Sequence, residues 1–217
     1  MCLIVLAWHA HPDHPLIVAA NRDEFHARPA APAGFWDDKP GILAGRDLTA
    51  RGTWMGISRS GRFAAVTNYR GATEPSAPHS RGALVTGFLE GSASCGEFLS
   101  KIEAKLYSGF NLFACDGKEL WWMSNRDGAP RRLDPGVYGQ GNQLLDSPEV
   151  EGSKQRFNAS IPSVEPLFSV LAPARIVNGQ YGTRCSTILL KKNDKTRYVE
   201  RSFSPDGEEQ ETVDFQF

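Results

Sequence analysis

The sequence predicts an α+β fold, with antiparallel strands in two groups and helices set between them. Three observations lead there. Short apolar runs separated by turn chemistry occupy both ends of the chain. Between them lie two stretches whose apolar side chains recur at helical spacing, one opened by a capping box. The order is strands, helices, then strands, which is not the alternation that a doubly wound parallel sheet requires.

The elements follow in order. Leu3-Ile4-Val5-Leu6 is a continuous apolar run, expected of a central strand covered on both faces. His11-Pro12-Asp13-His14-Pro15 is turn chemistry and residues 16–20 resume the strand, so residues 3–20 predict a hairpin. Residues 27–41 carry Pro29, Pro32 and Pro40 and predict an irregular loop. Residues 53–58 and 63–69 predict a second hairpin about Ser60-Gly61. Ser80 is placed to cap a first helix, with Leu84, Val85, Phe88 and Leu89 on one face. Ser94 and Glu97 form the capping box of a second, carrying Phe98, Leu99, Ile102 and Leu106, with Gly109 beyond its end. Strands are expected at 111–115 and 119–124, joined through Asp116-Gly117. Ser147-Pro148 opens a third helix, and Val164, Leu167, Phe168 and Leu171 mark a short fourth. A closing hairpin at 183–191 and 196–203 turns at Asn193-Asp194. No repeat or shift of composition divides the chain, so residues 1–217 read as a single domain.

A chain of 217 residues, 41% hydrophobic and 23% charged, can bury a substantial core, which excludes wholesale disorder. With 24 basic against 25 acidic side chains the net charge is −1, and no whole-molecule field favours nucleic acid or an anionic membrane. The longest apolar runs, 3–8 and 16–20, are too short to cross a bilayer, so no integral membrane segment is expected. No Lys or Arg precedes the first run, which argues against a secretory signal. Cys2, Cys95, Cys115 and Cys185 are scattered, with no C-x-x-C pair, and fit a reducing, cytoplasmic compartment.

Four groups could carry chemistry. Removal of Met1 would place a thiol and a free α-amine on Cys2, a nucleophile and its base on one residue. Position alone, however, favours an incidental second residue. Asn21-Arg22-Asp23-Glu24 follows an apolar strand; on an extended strand Asn21 and Asp23 share one face, Arg22 and Glu24 the other. If residues 3–20 form a hairpin, this block returns beside Cys2, where an arginine favours thiolate and a carboxylate can orient an amine. Otherwise it is a solvated strand end. His9-Ala10-His11-Pro12-Asp13-His14 spells a dinuclear-metal string, but the flanking prolines make it a hairpin tip and no metal is expected. Asn68 and Asn142 lie in strand-end contexts from which an amide could meet an oxyanion, although asparagine beside glycine is more often a turn residue.

Taken together, Met1-Cys2-Leu3 through Asn21-Arg22-Asp23-Glu24-Phe25 resembles the NRDE family, also called the transport and Golgi organization protein 2 family. Ala44-Gly45-Arg46-Asp47, Gly52-Thr53-Trp54-Met55-Gly56, the run 61–70, Gly109-Phe110-Asn111-Leu112, Ser124-Asn125-Arg126, residues 142–146 and Tyr181-Gly182-Thr183-Arg184 continue the match in order. The family in turn is similar to N-terminal-nucleophile hydrolases of the bile-salt hydrolase and penicillin V acylase kind. That resemblance implies a four-layer αββα sandwich of two mainly antiparallel sheets between helices. It implies Cys2 as the nucleophile, with Arg22 and either Asp23 or Glu24 beside it. Asn68, and more loosely Asn142 and Arg184, would complete the catalytic set, with Asn21 and Glu24 in reach of substrate. The implied activity is hydrolysis of an amide or thioester without metal or cofactor. The alternative is a binding or trafficking protein for haem or for acyl-CoA or lipid; either way the partner is a small acyl or haem-like ligand. The chain departs from the family pattern at Arg51, where a second glycine usually precedes Gly52-Thr53-Trp54, at residues 139–142, and in the short segment 148–180.

Overall fold

A computed structural model of the chain describes residues 2–71, 77–160 and 162–217. Its first half holds β1 (Leu3–His11), β2 (His14–Phe25), β3 (Ala30–Trp36), β4 (Lys39–Asp47), β5 (Met55–Ser58) and β6 (Phe63–Asn68). Then come α1 (Gly82–Glu90), α2 (Cys95–Ser100), β7 (Phe110–Cys115), β8 (Leu120–Ser124), β9 (Arg131–Leu133) and β10 (Gly136–Gln140). The chain continues through α3 (Glu151–Asn158), α4 (Val164–Leu171), β11 (Tyr181–Lys191), β12 (Thr196–Phe203) and β13 (Glu209–Gln216). All pairings between these strands are antiparallel, so the fold class is α+β with two antiparallel sheets and a few helices.

The chain forms two compact units, one of them Pro29–Asp134 with Asn142–Leu144 and the other the remainder. The second of these carries the six-stranded sheet, in the order β10-β1-β2-β11-β12-β13. On one face Leu3, Val5, Ala7, Ile17, Ala19, Ile188 and Leu190 pack against Phe157 of α3 and Leu167, Phe168 and Leu171 of α4. The alternate residues Ile4, Leu6, Leu16 and Val18 are equally buried, as the unbroken apolar runs predict for a strand covered on both faces. The hairpin turns at Pro12-Asp13, with a bulge that places His9 at φ 45°.

The other unit carries the seven-stranded sheet, β3 to β9 in sequence order. Leu84, Val85, Phe88 and Leu89 of α1 bury against Ile42, Ala44, Ala64 and Val66. Ser80 Oγ accepts the Gly82 N–H at 3.3 Å, and Gly52 and Gly82 meet so closely that a Cβ on Gly52 would lie 2.8 Å from the Gly82 carbonyl carbon. The Ser94–Glu97 capping box is present as predicted.

Several expectations need correction. Residues 27–41 are not an irregular loop: they contain β3 and the start of β4. Proline is tolerated there because β3 is an edge strand whose register shifts between Ala31 and Gly34, around Pro32. The second helix stops at Ser100, because the Lys101 and Ile102 amides turn back to carbonyls three residues earlier and tighten the last turn. The closing hairpin is followed by a further strand, β13, an edge strand whose only apolar alternation is short, the partly buried Val213 and Phe215 about the exposed Asp214.

Candidate functional site

The candidate site grows from the pairing of β2 with β1 on one side and β11 on the other. Leu3 pairs with Asn21, so continuing the register by one residue sets Cys2 across from Arg22. On the far side Arg22 pairs with Cys185 and Asp23 with Thr183, and Arg184 is the extra residue of a bulge between them. The hairpin therefore does bring the polar block back beside Cys2.

The Cys2 thiol lies against the Asp23 backbone. Sγ is 3.4 Å from the Asp23 carbonyl oxygen, to which it donates, and 3.4 Å from the Asp23 amide, from which it accepts. Burial, and after it the Asp23 carboxylate, push the thiol up to about 11 against the opposing pull of the Asp23 amide and of Arg22. In this form, with Met1 present in the chain, the thiol is protonated at neutral pH. Met1 itself lies outside the described residues.

Asp23 is 4% exposed, and its Oδ1 accepts a 2.6 Å hydrogen bond from Thr183 Oγ1. Thr183 Oγ1 in turn accepts the Ile176 N–H at 2.8 Å, so its single proton is directed at the carboxylate. Tyr181 OH donates to the Asp23 carbonyl at 3.3 Å, the same oxygen the thiol uses. Arg184 lies 3.0 to 3.4 Å from the carbonyls of Phe25, His26 and Arg28, to which it donates. Burial lowers its pKa, and Arg22 nearby lowers it further. The Tyr181-Gly182-Thr183-Arg184 string is thus the strand that clamps residues 23–28. Sequence reasoning had not assigned roles to Tyr181 or Thr183; the signal available was their place in a series matching the same family.

The other polar residues of the block differ in kind. Asn21 is 0% exposed: its Nδ2 donates to the Leu171 carbonyl at 3.1 Å and its Oδ1 accepts from Ser186 Oγ at 2.6 Å. Both ends of the amide are committed, which assigns Asn21 to holding β2 against α4 and β11 instead of touching a ligand. Glu24 is partly exposed; its Oε1 accepts the Phe25 N–H, and its Oε2 stands 4.0 Å from both Arg22 and Arg28.

Asn68 and Asn142 fall in the other unit and are joined there, Asn142 Nδ2 donating to the Asn68 carbonyl at 2.7 Å. The Arg70 N–H bonds to the Asn142 carbonyl at 2.7 Å, and Asn111 Nδ2 bonds to the Gln143 carbonyl at 2.9 Å. Asn111, buried in the Gly-Phe-Asn-Leu string, is the residue that sequence reasoning missed here. At the hairpin tip His14 Nδ1 and His11 Nδ1 are 3.3 Å apart, and the Asp13 N–H also bonds to His11 Nδ1. Among the described residues no three His, Cys, Asp or Glu side chains gather as a metal would need.

Comparison with known proteins gives a consistent picture. The family model for Transport and Golgi organisation 2 matches residues 1–172. The chain is 32% identical to the Transport and Golgi organization 2 homolog of Mus musculus, covering 100% of this chain and 99% of the relative. It is 33% identical to the homolog of Homo sapiens, covering 93% of each. Among solved structures it is similar to a Caenorhabditis elegans ortholog of N-acylethanolamine-hydrolyzing acid amidase, with TM-score 0.59 at 11% identity, covering 87% of this chain and 92% of that one. It is likewise similar to a cysteine-to-alanine mutant of conjugated bile acid hydrolase from Clostridium perfringens, with TM-score 0.58 at 10% identity, covering 100% and 97%. The likeness to these structures is one of fold.

Proposed function

We propose, from the premise that the chain belongs to the Transport and Golgi organisation 2 family, that it is a hydrolase whose nucleophile is Cys2 freed by removal of Met1. The observation that carries this reading is the position of the Cys2 thiol on the Asp23 backbone, with Arg22 across from it in register. The hydrolase folds of its structural neighbours support it.

With Met1 gone, the α-amine of Cys2 replaces an amide that has no basicity. A neutral amine takes the thiol proton, and the resulting ammonium, beside the Asp23 carboxylate, offsets the charge that otherwise raises the thiol. The thiolate attacks the carbonyl carbon of an amide or thioester and forms a C–S bond. The tetrahedral intermediate collapses, the C–N or C–S bond of the substrate breaks, and the leaving group takes the proton from the ammonium. The amine then deprotonates a water, which attacks the acyl-enzyme, releases the carboxylic acid and restores Cys2.

Arg22 favours the thiolate, and Asp23 fills the acidic role because Thr183 holds its carboxylate in place. Arg184 supports the turn that follows. The oxyanion role of Asn68 and Asn142 rests on the family resemblance. On that role, Asn142→Ala lowers turnover by about 10²–10³-fold.

The test is acylation of Cys2. Met1-free protein incubated with a panel of small acyl thioesters and amides should gain the mass of the acyl group on the Cys2 peptide, and Cys2→Ser should stop turnover of the thioester. Turnover that survives Cys2→Ala would overturn the reading. The second reading is a binding module for haem or for acyl-CoA or lipid, in which the thiol, raised to about 11 in the Met1-bearing chain, has no chemical role. Haem titration distinguishes the two, and we expect no Soret shift that depends on His9, His11 or His14.

A further inference from the structure

Among the described residues, Arg22 is the cation of the site that donates no hydrogen bond. Its side chain is 10% exposed, and among the described residues its guanidinium donates no hydrogen bond; the carboxylate of Glu24 stands 4.0 Å away, beyond hydrogen-bond distance. That carboxylate is shared at the same distance with Arg28, and its other oxygen is committed to the Phe25 N–H. A guanidinium nine-tenths buried with no hydrogen-bond partner in the protein loses part of its hydration uncompensated, while its nitrogens keep some contact with solvent through which an outside group can reach them. The surroundings add to the cost, since Arg184 brings a second positive charge close to Arg22. Contrast Arg62, equally buried, whose donors are taken up by the Phe88 and Ala93 carbonyls. Arg22 is held ready for a group that no described residue supplies.

The geometry fixes what that group is. A planar fork of donors matches a carboxylate or a phosphate and prefers to bind it with two parallel bonds. Cys2 lies across from Arg22 in the strand register, so a group on Arg22 belongs to the molecule that Cys2 attacks. We propose that Arg22 binds an anionic group of the substrate, so that the substrate class is an acyl compound bearing a carboxylate or phosphate near the scissile bond. This rests on the reading of Cys2 as nucleophile and adds the charge of its substrate.

The test uses two alkylating reagents of similar size and opposite character, iodoacetate and iodoacetamide, on the full Met1-free chain. The quantity read is the ratio of their rates at Cys2, divided by the same ratio in the urea-unfolded protein. Anion binding at Arg22 should raise the normalised ratio by about tenfold, the effect of one charge-assisted hydrogen bond. Arg22→Gln should return it to one, and Arg22→Lys should recover part of it. Because Arg22→Gln alters a buried side chain, protection provides a second measurement on the unaltered protein. Propionate or inorganic phosphate should slow iodoacetamide at Cys2, propionate more strongly for a carboxylate-bearing substrate and phosphate for a phosphorylated one. A normalised ratio near one, a raised ratio that persists in Arg22→Gln, or no protection by either anion overturns the proposal. Failure of the nucleophile reading looks different: iodoacetamide alone would then react no faster at Cys2 than at the unfolded thiol.

Discussion

Asp23 joins two sets of contacts: its backbone meets the Cys2 thiol and its carboxylate meets Thr183. At this scale the most informative change is Thr183→Val, which keeps the shape and removes the hydroxyl. It strands a buried carboxylate oxygen that had accepted a 2.6 Å bond, and should cost about 1.5–3 kcal/mol in urea unfolding. Thr183→Ser should cost far less, and equal stability of the valine variant would contradict the role given to this hydroxyl. The residue types were readable in advance, since an arginine and a carboxylate beside a thiol follow from the hairpin. Their division of labour was not. Alternation along β2 correctly separated Asn21 and Asp23 from Arg22 and Glu24, but only the partners on α4 and β11 show that Asn21 is a structural tie.

Among the elements, the hairpin of β1 and β2 and the link from β4 to β5 carry the sharpest expectations. His14 at the hairpin tip is 8% exposed, and burial lowers its pKa, as do His11 and Lys192, with Asp13 opposing. The unfolded chain therefore binds a proton at this site more readily than the folded one. Stability is whole above the ordinary histidine pKa of about 6.5 and declines as pH falls through it. His14→Gln should flatten that part of the pH–stability curve measured by urea unfolding. Arg51, which stands where the family usually has glycine, adopts φ 64°, a left-handed conformation that costs an ordinary residue about 1–2 kcal/mol. Arg51→Gly relieves this, less what glycine gains in the unfolded chain, and should raise Tm by about 1–3 °C. A lower Tm would show that the Arg51 side chain contributes more than its backbone loses. Elements with a strong period or cap were legible: β1, β2, α1 and the α2 capping box. The strand β3 was not, because an edge position and a bulge admit the proline that sequence reasoning takes as a breaker.

For the whole molecule, the order of strands, helices and strands was enough to give the α+β class, since it excludes a parallel doubly wound sheet. It could not give the pairing of β2 with β11, which lie more than half the chain apart and whose register assembles the site. Tyr181 and Thr183 gained roles only from that pairing, whereas Arg184 was expected in the site from the resemblance alone. The central claim, that Cys2 is a nucleophile activated by its own amine, is tested most directly by limited iodoacetamide labelling at neutral pH, followed by peptide mapping, on Met1-free and Met1-bearing protein. In the Met1-bearing form the thiol, pushed up to about 11, should label slowly, as should the buried Cys95, Cys115 and Cys185 in either form. In the Met1-free form Cys2 should label well ahead of those three. Cys2 labelling no faster than the buried cysteines once Met1 is removed would contradict the account.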